Sequence, residues 1–231
     1  MEADYNWLGC RVKAILSTKA DRILSNITNS VGGWESWAQV ELFTGFNQMV
    51  SEIRTKTNIL FQKPPSIEFS REEPYEDMDF KLAGSMVSER SWSYYKNPRI
   101  TDFKFKISFS KEIGSKFHWV EMKCQSSNET RAAFLSRVKT DIDKAERLKW
   151  DRESDSKSEV SVWVLAITIN TDAELEKAMG ALVVGWNNPI NLDSDGIVKI
   201  WTYCHRVQGI HQGNSSLLGY SYLRQLEARN S

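Results

Sequence analysis

Residues 100–109 read ITDFKFKISF and residues 117–125 read FHWVEMKCQ. From residue 102 to residue 109 the odd positions are all apolar and the even positions are all polar, which predicts a β-strand with one buried face. The second stretch has the length and composition of another strand. Residues 110–116 lie between them and contain Gly114, so they are able to reverse the chain. Together the two stretches predict an antiparallel hairpin.

Helices and further strands are predicted on both sides of this hairpin. Apolar residues recur at helical intervals over residues 34–53. After the hairpin, the same kind of analysis predicts a helix over 134–148, a buried strand over 160–169, a helix over 172–183 and a strand over 197–204. This order predicts an α/β fold with three layers, in which a mixed β-sheet containing the antiparallel hairpin is flanked by α-helices.

The length of 231 residues and the hydrophobic content of 41% suit a single domain with one sizeable core. Within it, residues 1–33 are expected to form an N-terminal helical segment that packs on the core. Residues 34–204 are expected to form the core itself. Residues 205–231 are then a C-terminal extension.

Charge and cysteine content limit the classes of function. Thirty basic residues balance thirty acidic ones, so a nucleic-acid partner would have to be held by a local basic surface. The three cysteines are far apart and show neither zinc-site spacing nor a disulfide framework, which fits a reducing compartment. No apolar run is long enough to span a membrane. We therefore expect an intracellular protein, cytoplasmic or nuclear, with no membrane partner and no secretion signal.

Polar residues on the hairpin suggest chemistry. The period of two places Glu121, Lys123 and Gln125 on one face of the second strand. Asp102 lies near the start of the first strand, across the hairpin, where splaying of the strands would leave a gap beside Glu121. Two carboxylates that converge on such a gap can hold Mg²⁺, which prefers oxygen ligands. A nearby lysine can then orient a water molecule or stabilise the charge of a phosphate under attack.

This arrangement resembles the PD-(D/E)XK, or restriction-endonuclease-like, nuclease superfamily. Its members have an acid that opens one strand, an E-x-K on the next strand, and then a helix and a further strand. Asp102 matches the first acid, although Thr101 stands where the family has proline, and Glu121 and Lys123 match the E-x-K. The resemblance covers roughly residues 34–204.

The resemblance implies a helix packed on a mixed sheet and a metal-dependent nuclease that hydrolyses nucleic-acid phosphodiester bonds with Mg²⁺ or Mn²⁺. Asp102 and Glu121 would be the metal ligands and Lys123 would assist the water nucleophile. Gln125 would support the catalytic site from the same strand. Glu41, on the first core helix, looks like the glutamate that many members place near the metal. A homodimer is also possible, since many nucleases cut both strands as dimers.

Other interpretations of the same residues remain open. A competing register takes Asp79 as the first acid and Asp102 with Lys104 as the pair, but another strand then follows instead of a helix. Glu121 and Lys123 are also typical of solvent-facing residues on a half-exposed sheet.

Basic residues near the hairpin are candidates for nucleic-acid binding. Lys104 and Lys106 on the first strand and Arg131 on the following helix would contact phosphates. The aromatic and basic residues around 92–95 would suit stacking on unpaired bases. Two alternatives to an enzyme follow: a catalytically inactive nuclease-fold module that binds nucleic acid or a protein partner, and an interaction protein with no nucleic-acid partner.

Overall fold

The computed structural model describes residues 7–19, 23, 34–60, 66–74, 80–82, 100–108, 115–150, 158–169, 173–183 and 186–208. Within these ranges the chain has a mixed α/β fold, which confirms the predicted class. The helices are α1 (Trp7–Leu16), α2 (Trp34–Leu60), α3 (Arg131–Arg147) and α4 (Ala173–Leu182), with a 3₁₀ turn at Ser17–Lys19. The strands are β1 (Ser66–Pro74), β2 (Phe80–Leu82), β3 (Ile100–Ser108), β4 (Ser115–Cys124), β5 (Leu148–Trp150), β6 (Glu159–Ile169), β7 (Ile190–Asn191) and β8 (Val198–Gln208).

Six of these strands form one mixed sheet in the order β1-β3-β4-β6-β8-β7. The predicted hairpin is present, since β3 and β4 pair antiparallel from Phe103 opposite Val120 to Ser108 opposite Ser115. Strands β4 and β6 pair in parallel, with α3 in the connection between them. Strands β2 and β5 pair with each other in a separate small sheet. The E-x-K strand β4 therefore lies in the interior of the large sheet.

Apolar side chains cover both faces of this sheet. On one face α1 and α2 pack against odd-numbered residues of β3 and even-numbered residues of β4, with Trp34, Phe46 and Phe103 among the largest buried side chains. On the other face α3 and α4 pack against Trp119 and alternate residues of β6 and β8. The molecule thus has the predicted three layers of helix, sheet and helix.

The first helix packs directly on α2. Leu8, Val12 and Leu16 of α1 are fully buried in the same cluster as α2. A Cβ atom at Gly45 would lie only 2.5 Å from Cγ2 of Ile15, so the absence of a side chain at this position lets the two helices approach closely.

The ends of three elements differ from the prediction. Helix α2 continues to Leu60, past the predicted end at residue 53. Strand β8 continues to Gln208, inside the predicted extension, because it pairs with β6 along its length. Leu148, predicted as the last residue of the helical stripe, instead begins β5 and pairs with Leu82. Among the helices that the structure describes, none is both long and apolar enough to cross a membrane.

Candidate active site

The candidate site lies where β3 and β4 stop pairing. Beyond Phe103 and Val120 their regular register ends, and two side chains of β3 take over the contacts. The hydroxyl of Thr101 donates to the Val120 carbonyl at 2.9 Å, and the Met122 amide donates to Asp102 Oδ2 at 2.6 Å. The Thr-Asp pair therefore bridges the splayed ends through side chains, and the Asp102 carboxylate is fixed to the backbone at Met122, next to Glu121.

Asp102 is held in a largely buried position. Its second oxygen, Oδ1, accepts a hydrogen bond from Nε2 of Gln39 on α2 at 2.7 Å. Gln39 in turn accepts from Arg71 on β1 through its Oε1. Burial and the negative charge of Glu121 raise the pKa of Asp102 from 3.8 to about 7, against the opposing effects of Lys123 and the Met122 amide. The two predicted acids therefore interact electrostatically across the strand ends.

Glu121 is buried, with only 4% of its surface exposed. This burial contradicts the alternative in which it faces solvent on a half-exposed sheet. Its Oε1 lies 2.7 Å from Nζ of Lys144, near the end of α3. Glu121 thus projects from the central sheet toward the helix that follows its own strand.

Lys123 projects toward the same helix. Its Nζ lies 3.0 Å from Oδ2 of Asp141 on α3 and donates to the Met122 carbonyl at 2.9 Å. Burial disfavours the ammonium, but Asp141, and more weakly Asp102 and Glu121, outweigh burial and raise the pKa of Lys123. The lysine is therefore charged and fixed within the reach of the site's carboxylates.

A carboxylate of α2, that of Glu35, lies beside Cys124 at the end of β4. Oε2 of Glu35 accepts from the Cys124 amide at 2.9 Å and from Nη2 of Arg137 at 2.7 Å. Arg137 also donates to both oxygens of Glu129 at 3.0 Å. The negative charge of Glu35 contributes to the raised pKa of Asp102. Glu35 and Gln39 are four residues apart, so one face of α2 supplies both contacts.

Gln125 joins the ends of the parallel strands. The side-chain oxygen of Gln125 accepts a hydrogen bond from the backbone amide of Ile169 at 3.0 Å. The backbone amide of Gln125 donates to the Ile167 carbonyl at 2.9 Å. Its carbonyl accepts from Nε1 of Trp34 at 2.7 Å. These contacts anchor β4, β6 and α2 to one another, so the observed role of Gln125 is positional.

Glu41 does not lie with Glu35 and Gln39. It forms an ion pair with Lys19 in the 3₁₀ turn after α1. Since an α-helix turns by about 100° per residue, Glu41 lies about 200° around α2 from Gln39. Among the described residues of α2, the acid next to the site is therefore Glu35, and the expectation for Glu41 is corrected.

The predicted phosphate-contacting residues already have partners. Nζ of Lys104 lies 4.5 Å from the ring centroid of Trp119, in a cation–π contact. Lys106 pairs with Glu68 at 3.3 Å, and Arg131 pairs with Glu174 at 3.3 Å. These contacts are partly exposed, so they compete with phosphates without excluding them. Asp79 of the competing register and the aromatic segment 92–95 lie outside the described residues.

Sequence reasoning missed the contribution of α3. Arg137, Asp141 and Lys144 follow one another at intervals of four and three residues, which places them on one side of the helix. This row borders the apolar stripe that predicted the helix, but its position on the helix does not show which strand it would meet. The row meets the E-x-K strand because α3 connects β4 to its parallel neighbour β6.

The donor set at the site suits a hard divalent cation. Two buried carboxylates, Asp102 and Glu121, lie close enough for the charge of one to raise the pKa of the other. A divalent cation would relieve that repulsion, and Mg²⁺ commonly binds one or two carboxylates and completes its shell with water and phosphate oxygens. Within the described part of the chain, no group of three or more His, Cys, Asp or Glu residues is arranged to hold a metal ion. The site could therefore bind Mg²⁺ only through the two carboxylates of Asp102 and Glu121, with water and phosphate oxygens as the other ligands.

Comparisons with protein families, with curated proteins and with solved structures find no match for this chain.

Proposed function

We propose that this protein is a Mg²⁺-dependent nuclease with a restriction-endonuclease-like fold. The observation that carries the proposal is that the carboxylate of Asp102, bonded to the Met122 amide next to Glu121, is close enough to Glu121 for that charge to raise its pKa, with the charged Lys123 nearby. Buried charges that weaken a fold are typical of sites kept for function. The proposal therefore starts from the chemistry of these three side chains.

The order of elements around them supports the fold assignment. A long helix, α2, packs on a mixed sheet, and the strand that carries the acid pairs with the strand that carries E-x-K. A helix and a strand parallel to the E-x-K strand follow. This is the succession that the resemblance to the superfamily implies.

Each residue has a distinct role in the proposed reaction. Asp102 and Glu121 would hold Mg²⁺, and Gln39 and the Met122 amide would keep Asp102 in position. When bound, the cation would lower the pKa of water and neutralise phosphate charge. The ammonium of Lys123, steadied by Asp141, would orient the attacking water and stabilise the charge that develops on the phosphate.

The test is cleavage of single- and double-stranded DNA and RNA by the purified chain with Mg²⁺ or Mn²⁺. Glu121→Gln and Lys123→Met should each lower the rate by about 100-fold or more, the scale on which removal of one electrostatic group acts. Lys139→Met and Asp143→Asn are matched controls, because they alter an exposed ion pair on the same helix α3. Absence of cleavage, or equal loss in the control variants, would refute the proposal.

A second candidate is a catalytically inactive module of the same fold that binds nucleic acid. It is favoured by the two ion pairs, in which Lys144 neutralises Glu121 and Asp141 neutralises Lys123. This candidate predicts salt-sensitive nucleic-acid binding that needs no divalent cation and survives Glu121→Gln. Metal-dependent cleavage by the unmodified chain would exclude it.

A further inference from the structure

The edge of β4 that faces β3 continues past the end of their pairing. The register between these two strands ends at Val120, whereas β4 stays paired with β6 as far as Cys124 opposite Ile167. The Gln125 amide donates to the Ile167 carbonyl and therefore points toward β6. Because backbone amides alternate in direction along a strand, those of Met122 and Cys124 point toward the side that β3 has left.

Side chains take the place of β3 along this edge. The Met122 amide donates to Oδ2 of Asp102 at 2.6 Å, and the Met122 carbonyl accepts from Nζ of Lys123 at 2.9 Å. The Cys124 amide donates to Oε2 of Glu35 at 2.9 Å. Cys124 is only 1% exposed, so little water could replace this acceptor if it were lost. Glu35 therefore supplies the acceptor that a longer β3 would have supplied.

Glu35 is itself held from the helix on the other face of the sheet. Nη2 of Arg137 on α3 donates to the same oxygen, Oε2, at 2.7 Å. Nη1 of Arg137 donates to both oxygens of Glu129 at 3.0 Å, and Glu129 accepts from the Ser126 amide at 3.3 Å in the turn between β4 and α3. Hydrogen bonds between charged groups are stronger than neutral ones. The Glu35 carboxylate thus joins α2, the end of β4 and α3 at one point.

We infer that Glu35 is a positioning residue for Lys123, because its carboxylate anchors the strand end that carries the lysine. Asp102 anchors the amide before Lys123, and Glu35 anchors the amide after it. The lysine is then directed to Asp141, whose Oδ2 lies 3.0 Å from its Nζ. This inference rests on the proposed function, in which cleavage needs Lys123 in place. Glu35 acts as a hydrogen-bond acceptor, so a neutral acceptor of the same shape should be able to replace it.

The first experiment measures amide hydrogen exchange by NMR in the full chain. Glu35→Ala should make the Cys124 amide exchange about tenfold faster or more, the scale on which loss of one hydrogen bond to a charged group acts. The Gln125 amide bonds toward β6 and is the internal control, since general destabilisation would accelerate both amides. Glu35→Gln keeps an acceptor and should keep the Cys124 amide protected. Equal acceleration of the two amides by Glu35→Ala, or none, would overturn the inference.

Two further measurements guard against misfolding of the alanine variant. In the unmodified chain the Cys124 amide should exchange as slowly as the Gln125 amide, although β3 does not pair with it. Rapid exchange of the Cys124 amide alone would overturn the inference. Glu52→Ala removes an exposed glutamate of the same helix α2 and should change neither amide. Selective loss of Cys124 protection in that control would also overturn it.

Cleavage kinetics test the link to Lys123. Glu35→Ala should lower kcat about 100-fold with little change in KM, since a misplacement of about 1 Å acts on the chemical step. Glu35→Gln should restore most of the rate. In a Lys123→Met background, Glu35→Ala should cost little more, because Glu35 acts through the lysine. A second 100-fold loss in that background, or a loss in Glu35→Gln equal to that in Glu35→Ala, would overturn the inference.

Failure of the inference and failure of the nuclease give different results. Mg²⁺-dependent cleavage that keeps its full rate in Glu35→Ala would support the nuclease and overturn the inference. A chain that cleaves nothing, but whose Cys124 amide loses protection selectively in Glu35→Ala, would refute the nuclease and support the anchoring of β4 by Glu35.

Discussion

The two faces of strand β4 are both covered by helices but differ in chemistry. Toward α1 and α2 the strand presents Val120, Met122 and Cys124, which are at most 1% exposed and lie in a cluster of aromatic and aliphatic side chains. Toward α3 it presents Glu121 and Lys123, each in an ion pair with that helix. Hydrocarbon on the first face stabilises the fold, whereas buried charge on the second costs desolvation energy. The second face is therefore the one to examine for function.

The largest effect on stability is expected on the hydrocarbon face. Met122 lies between Glu121 and Lys123 in sequence but points away from them, and it is fully buried. Met122→Ala should lower the free energy of unfolding by about 3 kcal/mol, through lost burial and the cavity left behind. Denaturant unfolding measures this. Met122→Leu, which keeps the volume, should cost less than about 1.5 kcal/mol, and equal losses in both variants would contradict the account.

On the charged face, the free energy of unfolding should depend on whether one member of an ion pair or both members are replaced. Lys144→Met should cost about 2 kcal/mol, less than for a fully buried pair, because water reaches the lysine. The double variant Glu121→Leu with Lys144→Met should regain most of that loss, since no charge is left unpaired. A double-mutant cycle in denaturant checks this. Additive losses from the two changes would mean that Glu121 and Lys144 have no coupling energy, and would contradict this account.

Asp102 should make the free energy of unfolding fall as the pH rises. Its pKa is about 7 in the fold against an ordinary 3.8, so the folded chain holds a proton that the unfolded chain has released between these values. Stability from this group is greatest below about pH 4 and is lost through pH 7, by up to about 1.4 kcal/mol per pH unit. Across a series of pH values, the free energy of unfolding of the unmodified chain should fall relative to that of Asp102→Asn as the pH rises from about 4 to 7; parallel curves would contradict this.

His118 should give the opposite slope. It lies with the even-numbered residues of β4, its Nδ1 accepts from Nε1 of Trp163 at 3.3 Å, and burial followed by the charge of Lys116 lowers its pKa from 6.5 to about 3. The folded chain keeps the ring neutral while the unfolded chain takes up a proton. Stability from this group is complete above about pH 6.5 and is lost as the pH falls toward 3, by up to about 1.4 kcal/mol per pH unit. His118→Gln, which keeps an acceptor for Trp163, should flatten the acid side of the stability profile.

Elements with a strong local period could be predicted from the sequence. The alternation along β3 and the apolar stripe of α3 are local patterns, and the structure confirms both. The two residues of β7 and the pairing of β2 with β5 were missed, because their positions depend on neighbouring strands. The end of β8 at Gln208 was missed for the same reason.

The site was predictable only in part. The E-x-K strand and its acid partner could be chosen by their context on a hairpin. The partners of those residues could not, because Glu35, Gln39, Asp141 and Lys144 look like ordinary polar residues of amphipathic helices. Which helix face meets the strand ends is decided by packing across the sheet, and no local period records it. For this reason the sequence indicated Glu41, whereas the structure places Glu35 beside the site.

The smallest change in the free energy of unfolding is expected for a surface ion pair that, like Glu121 and Lys144, joins a glutamate to a lysine. Lys106 on β3 and Glu68 on β1 lie 3.3 Å apart, with side chains 33% and 60% exposed. Because water screens both charges, Lys106→Met and Glu68→Gln should each change the free energy of unfolding by less than about 0.5 kcal/mol. Their coupling energy in a double-mutant cycle should be close to zero and should fall further with added salt. Coupling as large as that between Glu121 and Lys144 would mean that burial does not distinguish the two pairs. The buried charges of β4 would then give no reason to place a functional site there.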